Sequence, residues 1–416
     1  MSKSFRICIV SPAHPSYNPR VVKEANALAE AGLVVSVICG NYIPNAKELD
    51  YQLAGGKWDI THVDFGRHEA PILMHLRQKL LQKIAKIISR FNWFRSKFGA
   101  IAHSQVALDL ERAATKVKAD LYIAHYVAAL PAAAIAAKRH RARYAFDAED
   151  FHLGDLPDLP RHDFERSLIH TVEGKWLPGA VYLTAGSPLI AKAYADTYGI
   201  ETPKTILNLF SRLSGPSHPT PKGAATLGPS LYWFSQTIGP GRGLETALEA
   251  IAIAKSEPHL HLRGKLALGY REKLTALASR LGVSDRLHFH DLVPPDELER
   301  AGANFDIGLV GEANETRNRD IALTNKLFSY LSSGIPILAS RVSAHSEIAA
   351  SLENAISLFD IGDSEELAAG IDALLNDPSA LAEARKRSWA LGQTTFCWEA
   401  EAPVLVAHVR NACAAR

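Results

Sequence analysis

An acid-rich run follows the apolar stretch Tyr144–Phe146, reading Asp147-Ala148-Glu149-Asp150-Phe151-His152-Leu153-Gly154-Asp155. Carboxylates and an imidazole gathered where a strand ends can take a proton from a hydroxyl, because burial and neighbouring charges tune their pKa values there. Glu149, Asp150 and His152 are therefore candidate catalytic groups, with Glu149 or Asp150 as the proton acceptor and His152 beside it. The same residues could instead cap the following segment and hold its loop. Two further strand ends carry polar side chains. His14, Asn18 and Arg20 follow Ile7–Val10, and His125 follows Leu121–Ala124. They could line an acceptor site, or they could cap a helix and close a strand.

The apolar run Ile307–Val310 leads through a long loop, Gly311–Leu323, into Thr324-Asn325-Lys326-Leu327-Phe328-Ser329-Tyr330-Leu331-Ser332-Ser333 and the stop Gly334. A helix starting near Leu323–Asn325 directs free N–H groups and its positive dipole end at whatever the strand ends face, which suits a diphosphate. Upstream, Arg242 stands in the turn Gly239-Pro240-Gly241-Arg242-Gly243, where a guanidinium can hold phosphate oxygens in pairs or simply lie on the surface. The loop Ser11–Arg20 contains no glycine, which excludes the dinucleotide fingerprint and with it a nicotinamide enzyme. No Asp-x-Asp pair sits in a strand-end loop and the histidines lack ligand spacing, so neither a catalytic metal nor a cofactor is expected.

Elements of alternating type must position these residues. Short aliphatic runs at Ile7–Val10, Val34–Cys39, Asp59–Val63, Leu121–Ala124, Tyr144–Phe146, Val181–Thr184 and Thr205–Leu207 are separated by helical patterns. One such pattern is Arg20–Ala31, stopped by Gly32. The alternation restarts at Leu231–Phe234, Leu260–Leu262, Leu287–Phe289, Ile307–Val310 and Ile335–Ala339. This is α/β text for two doubly wound, Rossmann-like domains facing a cleft. Residues 1–210 form the expected acceptor-binding domain and 231–395 the nucleotide-sugar domain. The Pro-, Gly- and Ser-rich 211–230 reads as a linker, and 396–416 as a helix crossing back to the first domain. A length of 416 residues suits two cores, and 46 basic against 44 acidic residues gives no footprint for nucleic acid. The four cysteines are dispersed without Cys-x-x-Cys spacing and read as buried thiols.

Asn325-Lys326-Leu327-Phe328, Tyr330 and Gly334-Ile335-Pro336 resemble the donor-site helix of family-four retaining glycosyltransferases with the GT-B fold. Leu231–Thr237 followed by Arg242-Gly243-Leu244-Glu245 is similar to that family's first strand and phosphate loop, and weaker matches run along nearly the whole chain. The resemblance implies a nucleotide-sugar donor and a carbohydrate or lipid-linked acceptor. It also implies retained anomeric configuration and a donor site of Gln236, Arg242, Glu312, Thr324, Asn325, Lys326 and Ser329. Four positions depart from the family pattern. Gln236 stands for the usual Arg, Ser329 for the ribose-binding Glu, Ile321 for a Glu near the sugar, and Glu149 for a His beside the sugar. Glu312 or Glu315 would then serve toward the sugar. These departures leave open a non-catalytic binding subunit, and the fold leaves open a nucleotide-sugar epimerase.

Residues 73–99 hold seven cations, Arg77, Lys79, Lys83, Lys86, Arg90, Arg95 and Lys97, and no acid. Leu76, Leu80, Ile84, Ile87, Ile88 and Phe91 recur at helical spacing among them. Such a helix lies on an anionic membrane or packs its stripe on its own domain. The N-terminus runs straight into a strand and no apolar stretch approaches membrane length, so the expected location is the cytoplasm, at a membrane surface if the basic helix engages one.

Overall fold

The computed structural model describes residues 4–220, 223 and 228–414. Residues 1–3 of the expected cytoplasmic N-terminus, residues 221, 222 and 224–227 of the expected linker, and Ala415 and Arg416 lie outside the described residues. The chain divides into two compact units, residues 1–207 with 402–416, and residues 208–401.

The first unit is built on a seven-stranded sheet. Its strands are β1 (Arg6–Ser11), β2 (Val34–Asn41), β3 (Asp59–Asp64), β4 (Leu121–His125), β5 (Arg143–Ala148), β6 (Leu183–Ala185) and β7 (Lys204–Thr205). They run in the order β3-β2-β1-β4-β5-β6-β7, every pair parallel. Central strands such as β4, buried along its whole length, are continuous apolar runs because helices cover both faces. The expected strand Thr205–Leu207 begins one residue earlier and stops two earlier, since after Thr205 only Ile206 continues the ladder, through its N–H to the Ala185 carbonyl. The helix expected over Arg20–Ala31 spans Pro19–Glu30. Asn18 caps it, accepting from Arg20 N and Val21 N, Pro19 occupies the first turn where no N–H is needed, and Gly32 at φ 80° ends it. The C-terminal helix Trp398–Ala414 touches this sheet through Arg143, which donates to the Ala412 carbonyl at 2.6 Å.

In the second unit six strands are in order β10-β9-β8-β11-β12-β13, again all parallel. They are β8 (Ser230–Ile238), β9 (His259–Leu266), β10 (Leu287–His290), β11 (Ile307–Val310), β12 (Ile337–Ser340) and β13 (Ile356–Phe359). The last of these is an addition to the expected set: Ile356-Ser357-Leu358-Phe359 is too short to declare itself without its partner β12. The core gathers Trp233, Leu248, Leu262, Leu309, Leu338 and Ile371 between sheet and helices. Part of the Pro-rich segment is bound to this unit. Fully buried Arg385 donates to the Thr220 and Phe305 carbonyls, and Trp389 Nε1 to the Pro216 carbonyl at 2.9 Å.

Both sheets reverse strand order once, between β1 and β4 in the first and between β8 and β11 in the second. Ligands of open α/β sheets bind beyond the carboxyl ends of the strands at such switch points.

Candidate active site

In the second unit three chain segments meet at the switch point. The turn after β8 brings Arg242, the residue after β11 and Gly311 is Glu312, and the helix Asn325–Ser333 brings Lys326. Glycine makes the approach possible: a Cβ on Gly311 would stand 2.6 Å from the Arg242 carbonyl, and Gly243, at φ 66°, lies against Gly311. The Glu312 backbone is clamped by Ser340 of β12, whose hydroxyl accepts from Glu312 N and donates to its carbonyl.

Glu312 carries one cation on each carboxylate oxygen. Arg242 Nη1 donates to Oε2 at 2.8 Å and Lys326 Nζ to Oε1 at 3.1 Å. Burial alone would raise the Glu312 pKa, but Lys326 and Arg242 outweigh it and hold the carboxyl below its ordinary value. Lys326 is lowered by its own burial, which Glu312 only partly offsets. Its ammonium also stands 5.4 Å from the Trp233 ring centre. Two cations and one carboxylate leave a net positive charge at the strand ends, where an anion is stabilised.

The other residues expected at a donor are spread around this group. Thr324 caps the helix, accepting from Lys326 N, and Asn325 is exposed beside it. Gln236 is exposed in the irregular end of β8, where the register slips between Phe234 and Thr237. Ser329 is buried one turn down the helix, its hydroxyl donating to Glu299 Oε1 at 2.8 Å. Glu315 pairs instead with Arg319 at 2.9 Å.

At the first unit's switch point stands a chain of buried charges. His125, closing β4, has Nδ1 2.7 Å from Glu149 Oε1 and Nε2 2.7 Å from Glu24 Oε2. Burial would lower the His125 pKa, yet Glu149 and Glu24 raise it to about 10. The ring is therefore an imidazolium at neutral pH. Asn18 Nδ2 donates to the same Glu149 oxygen at 2.6 Å, and its Oδ1 is committed to the helix N–H groups, so the cap fixes which way the amide points. Arg20 grips both oxygens of Asp147 at 2.7 and 2.9 Å and donates to the Ile206 carbonyl. Tyr126, directly after His125, takes φ 66°, an unfavourable conformation for an aromatic residue and a mark of constraint at the strand end.

His14 and His152 lie apart from that chain. His14 Nδ1 is 2.6 Å from Asp50, and its Nε2 accepts from the Tyr42 and Ile43 amides, which locks the ring into the loop. His152 is buried with Nδ1 between Tyr194 Oη at 2.8 Å and Glu173 Oε1 at 3.0 Å. Half-buried Asp150 offers its carbonyl to Tyr194. Two groups among the described residues have the spacing to hold a metal ion, His14 with Asp50 and His62, and Glu24 with His125 and Asp147. In the first group His14 Nδ1 and His62 Nε2 both lie on Asp50 Oδ2, and in the second Glu24 pairs with His125 while Asp147 is held by Arg20.

Residues 228–377 match the family model described as Glycosyl transferases group 1. They are a group 1 glycosyltransferase domain. No curated protein sequence matches the chain. Among solved structures, Anabaena HepE in complex with UDP-glucose matches with a TM-score of 0.72 and 16% identity, over 98% of this chain and 100% of that one. Sucrose-phosphate synthase from Thermosynechococcus elongatus gives 0.70 and 16% over 98% of each. WaaG, a glycosyltransferase involved in lipopolysaccharide biosynthesis, gives 0.63 and 14% over 96% of this chain and 98% of that one. The fold of both units is thus GT-B, with the glycosyltransferase domain in the second.

Within the glycosyltransferase domain, a carboxylate does accompany position 329, but it comes from Glu299 of the short helix Leu298–Gly302. Nothing in the local sequence marks that residue, because the contact is tertiary. Glu24 was detectable. It interrupts the apolar stripe of Val21, Ala25 and Leu28, and an acid on a buried helix face needs a partner.

Proposed function

We propose that this glycosyltransferase moves a sugar from a nucleotide-sugar donor to a hydroxyl of a carbohydrate or lipid-linked acceptor, with retained anomeric configuration and without a metal. The observation that carries the reading is the Arg242–Glu312–Lys326 group at the switch point of the glycosyltransferase domain. Breaking the bond between the anomeric carbon and the diphosphate oxygen builds negative charge on the departing diphosphate. Arg242, Lys326 and the first N–H groups of the helix Asn325–Ser333 would stabilise that charge as it grows. Two protein cations take the place a divalent ion would otherwise fill. The acceptor oxygen bonds to the anomeric carbon, and its proton passes to Glu149. HepE was solved with UDP-glucose, which makes that compound the first donor to try. Incubation with UDP-glucose in excess chelator should release UDP, and Arg242→Ala should abolish the release. Release that requires an added divalent ion would overturn the metal-free reading, and an isomerised sugar nucleotide would point to an epimerase.

A membrane surface is proposed as a second partner. The helices Ile72–Ile88 and Asn92–His103 leave Leu73 and Trp93 83% and 87% exposed, with Leu76, Leu80, Ile84, Ile87 and Phe91 exposed between them and Lys79, Lys83, Lys86 and Arg90 along one flank. An apolar stripe beside a row of cations complements an anionic bilayer, at about 1 kcal/mol per cation near the surface. No described helix is long and apolar enough to cross a membrane. The protein should sediment with phosphatidylglycerol vesicles and not with phosphatidylcholine vesicles. Retention of that preference in a Leu73→Ser/Trp93→Ser variant would sink the proposal.

A further inference from the structure

A buried carboxylate, a partly buried one and the ring they enclose in the first unit go beyond what capping a helix requires. Glu24, His125 and Glu149 form a line reaching outward from the helix Pro19–Glu30, and their side chains are 4%, 0% and 14% exposed. Its outermost member, Glu149, meets solvent most. Both hydrogen bonds that Glu149 accepts, from His125 and Asn18, fall on Oε1. Its Oε2 is the oxygen left for a ligand hydroxyl.

We infer that Glu24 is a positioning residue which, through His125, holds Glu149 in place so that Glu149 Oε2 receives a substrate hydroxyl. The inference rests on the reading of Glu149 as a reaction-centre group. His125 without Glu24 would lose its Nε2 partner and one of the two charges that keep the ring protonated, and a neutral ring would hold Glu149 less firmly. The groups facing this line are few. Asp147 lies nearby but is neutralised by Arg20, Asn18 is fixed by the helix cap, and the phenols of Tyr126, just after β4, and Tyr182, just before β6, face the carboxylates. Asp150 is the remaining acid near Tyr126. In the transfer step the acceptor oxygen forms its bond to the anomeric carbon and the bond to the diphosphate oxygen breaks. The hydroxyl proton goes to Glu149 Oε2, which later releases it to water.

The test follows the His125 ring by carbon-edited NMR across a pH titration, its signal identified by its loss in His125→Asn. In the intact protein the ring should stay protonated to about pH 10. In Glu24→Gln, which keeps size and shape, the midpoint should fall by at least about one unit, and Glu24→Asp should recover part of the shift. UDP release from UDP-glucose should fall at least about tenfold in Glu24→Gln with the donor KM unchanged, and partly recover in Glu24→Asp. A folded Glu24→Gln protein whose His125 midpoint does not move overturns the inference and leaves the transferase reading standing. A midpoint that moves while Glu149→Gln releases UDP at the normal rate also overturns it, by removing Glu149 from the reaction. If the intact protein releases no UDP from any nucleotide sugar, the functional reading fails, and the inference that rests on it falls too.

Discussion

Ser329 donates its hydroxyl to the buried carboxylate of Glu299 at 2.8 Å, across thirty residues of chain. A glutamate placed at 329 to match the family pattern would meet that carboxylate in a site closed to water. Two like charges there cannot both ionise without a large penalty. Ser329→Glu should therefore destabilise the protein by about 2 kcal/mol or more, and adding Glu299→Gln should recover much of the loss. Urea unfolding of the two single variants and the double variant tests this. Simple additivity of the single effects would show that the two side chains do not oppose one another.

The bridge between Arg242 and Lys326 makes a different demand. Removing Lys326 leaves Glu312 with a single partner, and breaking a buried pair costs about 3 to 5 kcal/mol. Arg242 is one-third exposed, so its loss should cost far less stability but remove a phosphate contact. Arg242→Ala is expected to weaken UDP binding by about tenfold to a hundredfold with little change in Tm, measured by calorimetry and thermal unfolding. Lys326→Met should lower Tm clearly. The reverse ranking would mean that Arg242, not Lys326, carries the local fold.

The alternation of apolar runs and helical stripes made nearly every strand readable, because parallel strands buried on both faces are written as continuous aliphatic text. The late β13 is the exception, and two-residue β7 is readable only with displaced ends, since each depends on a neighbour for its definition. Candidate residues in the loops and helix starts beyond the strands, Arg242, Lys326, Glu149 and His125 among them, can be named from sequence. Their partners cannot. Glu149 stands 131 residues from Asn18, and Arg242 stands 70 from Glu312. Only the folded sheet decides that His125 sits between two carboxylates while His14 and His152 are tied into loop and helix.

Four histidines form a ladder at the edge of the second sheet. His259 and His261 of β9 meet His288 and His290 of β10, with Nδ1 to Nε2 distances of 2.8 Å for His259–His288 and 2.9 Å for His261–His290. Burial and then the neighbouring rings push the His261 pKa down to about 3, and His288 and His290 are also lowered, first by burial. The unfolded rings, with pKa values near about 6.5, take up protons that the folded rings refuse. Stability is thus full above about pH 7 and falls as pH drops through about 6.5, by about 1.4 kcal/mol at about pH 5.5 from His261 alone. Urea midpoints measured from pH 8 to 5 should fall on the acid side, and His261→Gln should flatten the slope. A slope unchanged by that substitution would assign the acid loss to other groups.

Arg20 and Asp147 of the first unit pair in a bidentate, buried contact, with side chains 6% and 3% exposed. A lysine at 20 would offer a single ammonium, which cannot span both Asp147 oxygens while also reaching the Ile206 carbonyl. Arg20→Lys should then cost about 2 to 4 kcal/mol, close to the loss from Arg20→Ala, although it keeps the charge. Asp147 is held below its ordinary pKa: burial opposes ionisation, but Arg20 and then His125 outweigh it. Its contribution is accordingly present above the unfolded carboxyl pKa of about 3.9 and lost as pH falls below that value. The check is thermal unfolding of both variants at neutral pH and near pH 3. If Arg20→Lys keeps nearly the stability of the intact protein, charge alone holds Asp147 and the forked geometry contributes little.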